Sequence, residues 1–210
     1  MPSAKIYLHL KKYDCDELAK KAFADRGIIM CLLLWRLGRT LVRVEMKNIY
    51  LIGGTMGVGK TTICRIIKSK LDNSVFLDGD WCWDMHPFQV TDETKQMVME
   101  NICFLLNRFI GCSAFENIIF CWVMHEQSII NEILSRINAD GCTFHLVSLL
   151  CNKEELKARL TKDVEAGIRT SDVIRRSIGR LPCYKGLNTI KVDVSVKSPE
   201  QAADFIIGHC

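Results

Sequence analysis

From Asn48 onward the chain alternates between short apolar runs and longer stretches with helical spacing. The runs at 48–52, 74–77, 117–123, 143–150 and 189–194 read as five strands, each bounded by turn-forming or polar residues. Between them, a helix is expected from about Thr61 to Lys70. A longer one is expected from Thr91 to Phe109, with Thr91 as cap, Asp92 and Glu93 in its first turn, and Val98, Ile102, Leu105 and Phe109 as its apolar stripe. Ile130, Ile133, Leu134 and Ile137 mark a third helix from Ser128 to about Asn138, stopped near Gly141. Asn152 and Glu155 predict a reciprocal cap for the helix that carries Arg159, and Ser171 begins a short helix through Leu181 after a polar stretch at 161–170. Ser198-Pro199-Glu200-Gln201 opens the last helix, with Pro at the first helical position. Strands alternating with helices predict an α/β fold, a three-layer arrangement around a five-stranded parallel sheet.

Residues 1–45 break this pattern. They carry no phosphate, metal or capping signature, and two readings stand: a basic appendage, or sequence upstream of a start at Met46. Residues 46–210 form the expected domain. The chain is 210 residues long with a net charge of +4. Residues 1–46 hold nine of the 28 Lys and Arg and five of the 24 Asp and Glu, so residues 47–210 are neutral overall. Bulk charge therefore gives no support to nucleic-acid binding. No apolar run approaches the ~20 residues needed to span a bilayer. The eleven cysteines are odd in number and include no C-x-x-C pair, so free thiols are expected, in keeping with a reducing, cytoplasmic setting. Cys103, Cys121, Cys142 and Cys151 lie among apolar residues, where Cys behaves as a small hydrophobe.

The candidate chemistry begins at the end of the first strand. Gly54-Thr55-Met56-Gly57-Val58-Gly59-Lys60-Thr61, followed by Thr62, is a G-x-x-x-x-G-K-T loop between a strand and a helix. Backbone N–H groups curled around a polyphosphate, at a helix N-terminus with its partial positive charge, make an anion cradle. Lys60 is placed to reach the β and γ phosphates, and the Thr61 hydroxyl to ligate Mg²⁺. ATP and Mg²⁺ are the cofactors this loop implies.

In an open parallel sheet, ligands collect at the carboxyl ends of the strands. The second strand ends in Asp78-Gly79-Asp80. Phosphoryl transfer to a hydroxyl needs a carboxylate that orients the acceptor and takes its proton, which is the role expected of Asp80. Asp78 is expected near the metal. Either carboxylate could instead simply cap a turn. Trp81, Trp83, Phe88 and Trp122 follow strands two and three, with His86 and His125 among them. Such rings suit a planar acceptor, such as a nucleoside, or else fill the core. His145, inside the fourth strand, reads as a core histidine.

With GGTMGVGKTT followed by LDGD, the chain resembles the small P-loop kinases that phosphorylate metabolite hydroxyls. Shikimate and gluconate kinases and AAA-type P-loop kinases of unassigned substrate belong to this group, and nucleoside monophosphate kinases are more distant. The resemblance covers residues 47–207. It implies acceptor contact by Asp80, metal proximity for Asp78, and a small Arg-bearing lid over the phosphates. The lid maps to Thr161–Arg180, with Arg169 the expected phosphate contact and Arg175, Arg176 and Arg180 on the next helix, where a solvated face is the alternative. It also brings Val194, Ser195 and Val196 near the adenine. Two features depart from the pattern. The third strand reads NIIFCWVM and lacks the usual acidic metal ligand, the next acid being Glu126 after His125. No Arg-rich pattern for a small carboxylate acceptor is visible.

The expectation is thus an ATP-dependent phosphotransferase acting on a nucleotide, nucleoside or other planar small molecule, with no membrane association. A kinase acting on a nucleic-acid 5′ end, or an ATP-hydrolysing switch without an acceptor, are the rival readings. A chain beginning at Met46 is expected to fold and bind ATP like the full chain. A large loss of melting temperature on that truncation would show residues 1–45 to be part of the domain.

Overall fold

The structure, a computed structural model, describes residues 46–209; the extension expected over residues 1–45 lies outside them. Five strands form one sheet: β1 (Lys47–Gly53), β2 (Ser74–Asp78), β3 (Asn117–Trp122), β4 (Cys142–Leu150) and β5 (Ile190–Asp193). All neighbouring strands pair in parallel, in the order β2-β3-β1-β4-β5. Six helices connect and cover them: α1 (Lys60–Lys70), α2 (Asp92–Ile110), α3 (Gln127–Arg136), α4 (Lys153–Glu165), α5 (Asp172–Lys185) and α6 (Pro199–His209).

Because side chains on a strand alternate between faces, each strand contributes to two cores. Tyr50, Ile52, Ile119, Cys121, Val147 and Leu149 meet α1, α4, the start of α5 and α6 through Ile63, Ile67, Leu156, Leu160, Val173 and Ile206. Ile49, Leu51, Ile118 and Phe120 point the other way, onto Val98, Ile102 and Leu106 of α2 and Ile130 and Ile133 of α3. The result is the expected three-layer α/β fold. A parallel sheet covered on both faces explains why β1 and β3 read as near-continuous apolar runs. Among the described residues, no helix is long and apolar enough to cross a membrane.

Local signals set most helix starts. Thr91 forms a reciprocal cap with Thr94, whose N–H donates to the Thr91 hydroxyl at 3.1 Å while the Thr91 N–H donates to the Thr94 hydroxyl at 2.8 Å. Ser198 and Gln201 exchange the same pair of bonds ahead of α6. At α4 the cap is one-way. The Glu155 N–H donates to Asn152 Oδ1 at 2.7 Å, but the Glu155 carboxylate accepts from Arg159 instead of reaching back.

Several boundaries and faces differ from the sequence expectation. The buried face of α2 continues through Leu106 and Ile110, while Leu105 and Phe109 are only partly buried, so the true stripe is rotated by one residue. The polar stretch after Thr161 is not irregular throughout, since α4 continues to Glu165. The following helix is longer than expected, ending at Lys185 and containing Pro182. Cys142 is only partly buried, whereas Cys103, Cys121 and Cys151 are buried and free.

Candidate active site

The site gathers at the carboxyl ends of β1, β2 and β3. Gly53, at the end of β1, lies in register with Trp122, and Asp78, at the end of β2, with Cys121, so the loops after these strands are neighbours. The loop after β1 curls back on itself. Gly57 and Gly59 adopt φ of 79° and 102°, a left-handed region that side chains with a Cβ rarely enter. A Cβ at Gly57 would also lie 2.5 Å from Leu160 Cδ2 of α4, so the loop fits closely under that helix.

Lys60 opens α1 and is only 7% exposed. Its ammonium donates to the backbone carbonyl of Thr55 at 3.1 Å. Burial lowers its pKa, and the nearby Cys121, Asp80 and Asp78 pull it back up. Thr55 is itself buried, and its hydroxyl donates to the carbonyl of Ser177 on α5 at 3.1 Å. The phosphate loop is therefore tied to the helix that bears Arg175, Arg176 and Arg180. Val58 is in the core, Met56 is partly buried at the cavity, and Thr62 is exposed on the first turn of α1.

The Thr61 hydroxyl donates to Asp78 Oδ2 at 2.7 Å. The other oxygen, Asp78 Oδ1, accepts from the backbone N–H of Asp80 at 3.1 Å and so caps a short 3₁₀ turn, Gly79–Trp83. Capping and site roles coexist in this one carboxylate. A hydroxyl beside a carboxylate is a hard oxygen donor set, which suits Mg²⁺ held by one or two protein groups and phosphates. The residues thus fit the metal that the phosphate loop implies, with Thr61 and Asp78 as the protein groups that would hold it.

Asp80 lies at the rim of a cavity of about 1180 Å³ and is exposed to solvent there. Burial raises its pKa above the ordinary carboxylate value, with Asp78 adding to the shift and Lys60 and Arg169 opposing it. Trp81, Trp83, Phe88 and Trp122 line the same cavity, as the sequence pattern anticipated, and His125 lies there while His86 does not. Trp81 packs edge-on to Phe76 and Trp83 tilts against Phe88.

Arg169 is exposed in the loop between α4 and α5 and pairs with Asp163 at 3.0 Å, yet its charge still reaches Asp80. Of the helical arginines, Arg176 and Arg180, one turn apart, line the cavity and Arg175 does not. Arg176 is paired with Asp172. Arg180 is partly buried, and among the described residues it has no ion pair or hydrogen bond. Arg136, from the end of α3, also lines the cavity and is paired with Glu132. Three arginines thus line the cavity; they come from two separate helices, so no local motif signals them.

Arg159, on α4, has no role assigned from the sequence. Its guanidinium donates to the carbonyls of Val58 in the phosphate loop at 3.3 Å and Val194 after β5 at 2.9 Å, with Glu155 at 2.8 Å fixing its orientation. Ser195 accepts from the Asn152 N–H at 2.8 Å and donates to Asp193 at 2.6 Å, so the segment after β5 is held against the start of α4. His145 stacks on Tyr50 and hydrogen-bonds Asn48 at 3.3 Å, consistent with a structural role.

A phosphate loop after the central strand, with a D-G-D turn after the edge strand and a cavity between them, defines a P-loop kinase of the small-molecule class. Residues 51–176 match the family described as an AAA domain, and the chain belongs to that family. It is 27% identical over 178 residues to a shikimate kinase of Caldicellulosiruptor saccharolyticus, covering 77% of this chain and 94% of that one. Its fold is similar to that of a gluconokinase from Sinorhizobium meliloti, with a TM-score of 0.56 and 16% identity over 79% of this chain and 94% of the other. The tunicamycin resistance protein of Deinococcus radiodurans is similar to the same degree, with a TM-score of 0.56 and 15% identity over 78% and 95% of the two chains. The chain is thus an ATP-dependent small-molecule kinase, and P-loop kinases use ATP, generally with Mg²⁺.

The raised pKa of Asp80 has a consequence for stability. A carboxyl whose folded pKa exceeds its unfolded value of about 3.9 destabilises the fold when ionised; the penalty is full above the folded pKa and vanishes below the unfolded one. Because water screens much of this effect at an exposed carboxylate, Asp80→Asn is expected to melt only slightly higher than the wild type at pH 7, the gap closing as pH falls toward about 4. Equal melting temperatures across that range would show that the Asp80 carboxyl is not strained by its surroundings.

Proposed function

We propose that this kinase transfers the γ-phosphoryl group of ATP to a hydroxyl of a planar acceptor, a nucleotide, nucleoside or other flat metabolite, bound in the cavity beside Asp80. The observation that carries the reading is the placement of Asp80 at the rim of that cavity, next to the phosphate loop and among four aromatic side chains. Flat rings bury large areas of a planar ligand at little conformational cost. A cavity of about 1180 Å³ also has room for an acceptor larger than a monosaccharide. The unpaired Arg180, with Arg136 and Arg176 nearby, favours an acceptor that carries an anionic group, which supports a nucleotide over a neutral nucleoside.

In this reading the backbone of residues 54–61 and the Lys60 ammonium bind the β and γ phosphates. Magnesium, when bound at Thr61 and Asp78, supplies positive charge to the phosphate oxygens. Asp80 accepts the hydroxyl proton as the acceptor oxygen bonds to the γ-phosphorus and the bond from that phosphorus to the bridging oxygen of ADP breaks. Its raised pKa makes it a stronger base than an ordinary carboxylate. Arg169, released from Asp163, neutralises charge on the transferring oxygens. Arg159 and the segment Val194–Val196 border the place where the adenine is expected.

A thermal-shift screen of nucleotides, nucleosides and aromatic metabolites, with a non-hydrolysable ATP analogue present, identifies the acceptor by its stabilisation of the folded state. With that acceptor, Lys60→Ala is expected to abolish transfer while the protein stays folded. Asp80→Asn is expected to bind Mg·ATP normally and lose transfer by roughly 10²-fold or more, with background hydrolysis falling much less. If hydrolysis, transfer and ATP affinity drop together, Asp80 belongs to the metal site and the acceptor role is wrong.

A further inference from the structure

We propose that Trp122 is a positioning residue for Asp80: its indole wedges against Gly79 and fixes the short turn that carries the carboxylate. The inference rests on the acceptor-orienting role proposed for Asp80, and goes beyond it by naming what holds that group in place. The key observation is steric. A Cβ at Gly79 would lie 2.6 Å from Trp122 Cγ, 2.7 Å from Cδ1 and 3.0 Å from Cβ, so the base of the Trp122 ring occupies the space that a side chain at 79 would need. Gly79 is buried, and it sits between the two carboxylates of the site.

The strand register explains the contact. Asp78 pairs with Cys121, so the residue after Asp78 and the residue after Cys121 leave their strands side by side. Trp122 also pairs with Gly53, directly before the phosphate loop, so the ring is anchored on the most central part of the sheet. It is partly buried, packing against the core beneath α2 while its outer part lines the acceptor cavity.

The turn needs such a brace. A 3₁₀ turn of five residues has poor hydrogen-bond geometry, and the side-chain bond that holds its start is the one from the Asp80 N–H to Asp78 Oδ1. Trp81, Cys82 and Trp83 hold the far end of the turn, Trp81 edge-on to Phe76 while 54% exposed and the other two against the core, whereas the Trp122 ring meets Gly79 at its start, beside Asp80. A reacting carboxylate must be held within about 0.5 Å of its working position by neighbours that are themselves locked. The Trp122 ring, wedged on Gly79, meets that need. An acceptor lying against its outer face then rests on the same element that aims Asp80.

The contacting atoms Cβ, Cγ and Cδ1 all have counterparts in Phe, whereas Ala keeps only Cβ. That difference defines the test, which needs no acceptor. Amide hydrogen exchange is measured on the full chain for wild type, Trp122→Phe, Trp122→Ala, Gly79→Ala and the Gly79→Ala/Trp122→Ala double variant, comparing the Asp80 amide with those of Ile118–Phe120 in β3. Trp122→Ala and Gly79→Ala are each expected to speed exchange at Asp80 about tenfold or more relative to the β3 amides, and Trp122→Phe to change it less than about threefold. In the Trp122→Ala background, adding Gly79→Ala should change it less than about threefold, because the two severe clashes, with Cγ and Cδ1, are gone and only the 3.0 Å contact with Cβ remains. Local exchange at Asp80 unchanged by Trp122→Ala, or a Gly79→Ala effect of the same size with and without the ring, would overturn the proposal. Should Trp122→Ala fail to fold, Gly79→Ala and Trp122→Phe decide it: an Asp80 amide undisturbed by the former, or disturbed about tenfold by the latter, is the overturning result. Failure here leaves the chemical role of Asp80 to be judged by Asp80→Asn, and failure there leaves this contact standing as a structural fact.

Discussion

The buried ammonium of Lys60 is the constraint around which the site is organised. Removing a charge from water is costly unless opposite charge or good acceptors surround it. Here the hydrogen-bond partner of the ammonium is one backbone carbonyl, that of Thr55, while burial drives its pKa down and Asp78 and Asp80 oppose the shift. A polyphosphate seated in the loop would supply the negative charge that the surroundings provide only in part. The two carboxylates flanking Gly79 are therefore part of the electrostatic surroundings of Lys60. Both line the cavity, and Asp78 alone of the two accepts from the Thr61 hydroxyl.

The phosphate loop is also connected outward to α4, α5 and the segment after β5. The Thr55 hydroxyl bonds the carbonyl of Ser177, which lies between Arg176 and Arg180 along α5. Arg159 links the carbonyl of Val58 to that of Val194 beyond β5. Three segments far apart in sequence thus meet through side-chain bonds to backbone carbonyls, which hold position without needing a particular side chain on the other partner. Arg169 has no such anchor. It is paired at the surface with Asp163, a contact of the weak, solvent-screened kind that can be exchanged for a phosphate.

What the sequence made legible was local. The phosphate loop, the D-G-D turn, the caps at Thr91 and Ser198 and the five strands all reside in windows of a few residues and lie where the sequence put them, whereas the cap at Asn152, expected to be reciprocal, is one-way. The aromatic wall was readable because Trp81, Trp83 and Phe88 sit on one short segment and Trp122 ends a strand. What escaped depended on long-range placement. Thr55 and Ser177 are 122 residues apart, and Arg159 and Val58 are 101 apart. Arg136 and Arg180 enter the cavity from different helices, and neither has a neighbouring signal that separates it from a solvated face. The rotated stripe of α2 has another cause: Leu105 and Leu106, like Phe109 and Ile110, are adjacent apolar pairs, so periodicity alone fits two faces and only packing against the sheet selects Leu106 and Ile110.

The central claim is a division of labour between two carboxylates separated by one glycine, Asp78 serving the metal and Asp80 the acceptor. Manganese is a paramagnetic substitute for magnesium, and its affinity in the presence of ADP can be read by electron paramagnetic resonance for wild type, Asp78→Asn and Asp80→Asn. Asn removes the charge and keeps one of the two oxygens, so it can accept from Thr61 or from the Asp80 N–H but not from both. The account predicts that Asp78→Asn weakens Mn²⁺ binding by about 10-fold to 100-fold while Asp80→Asn leaves it within a fewfold of wild type. Equal losses in both variants, or a larger loss in Asp80→Asn, would contradict it.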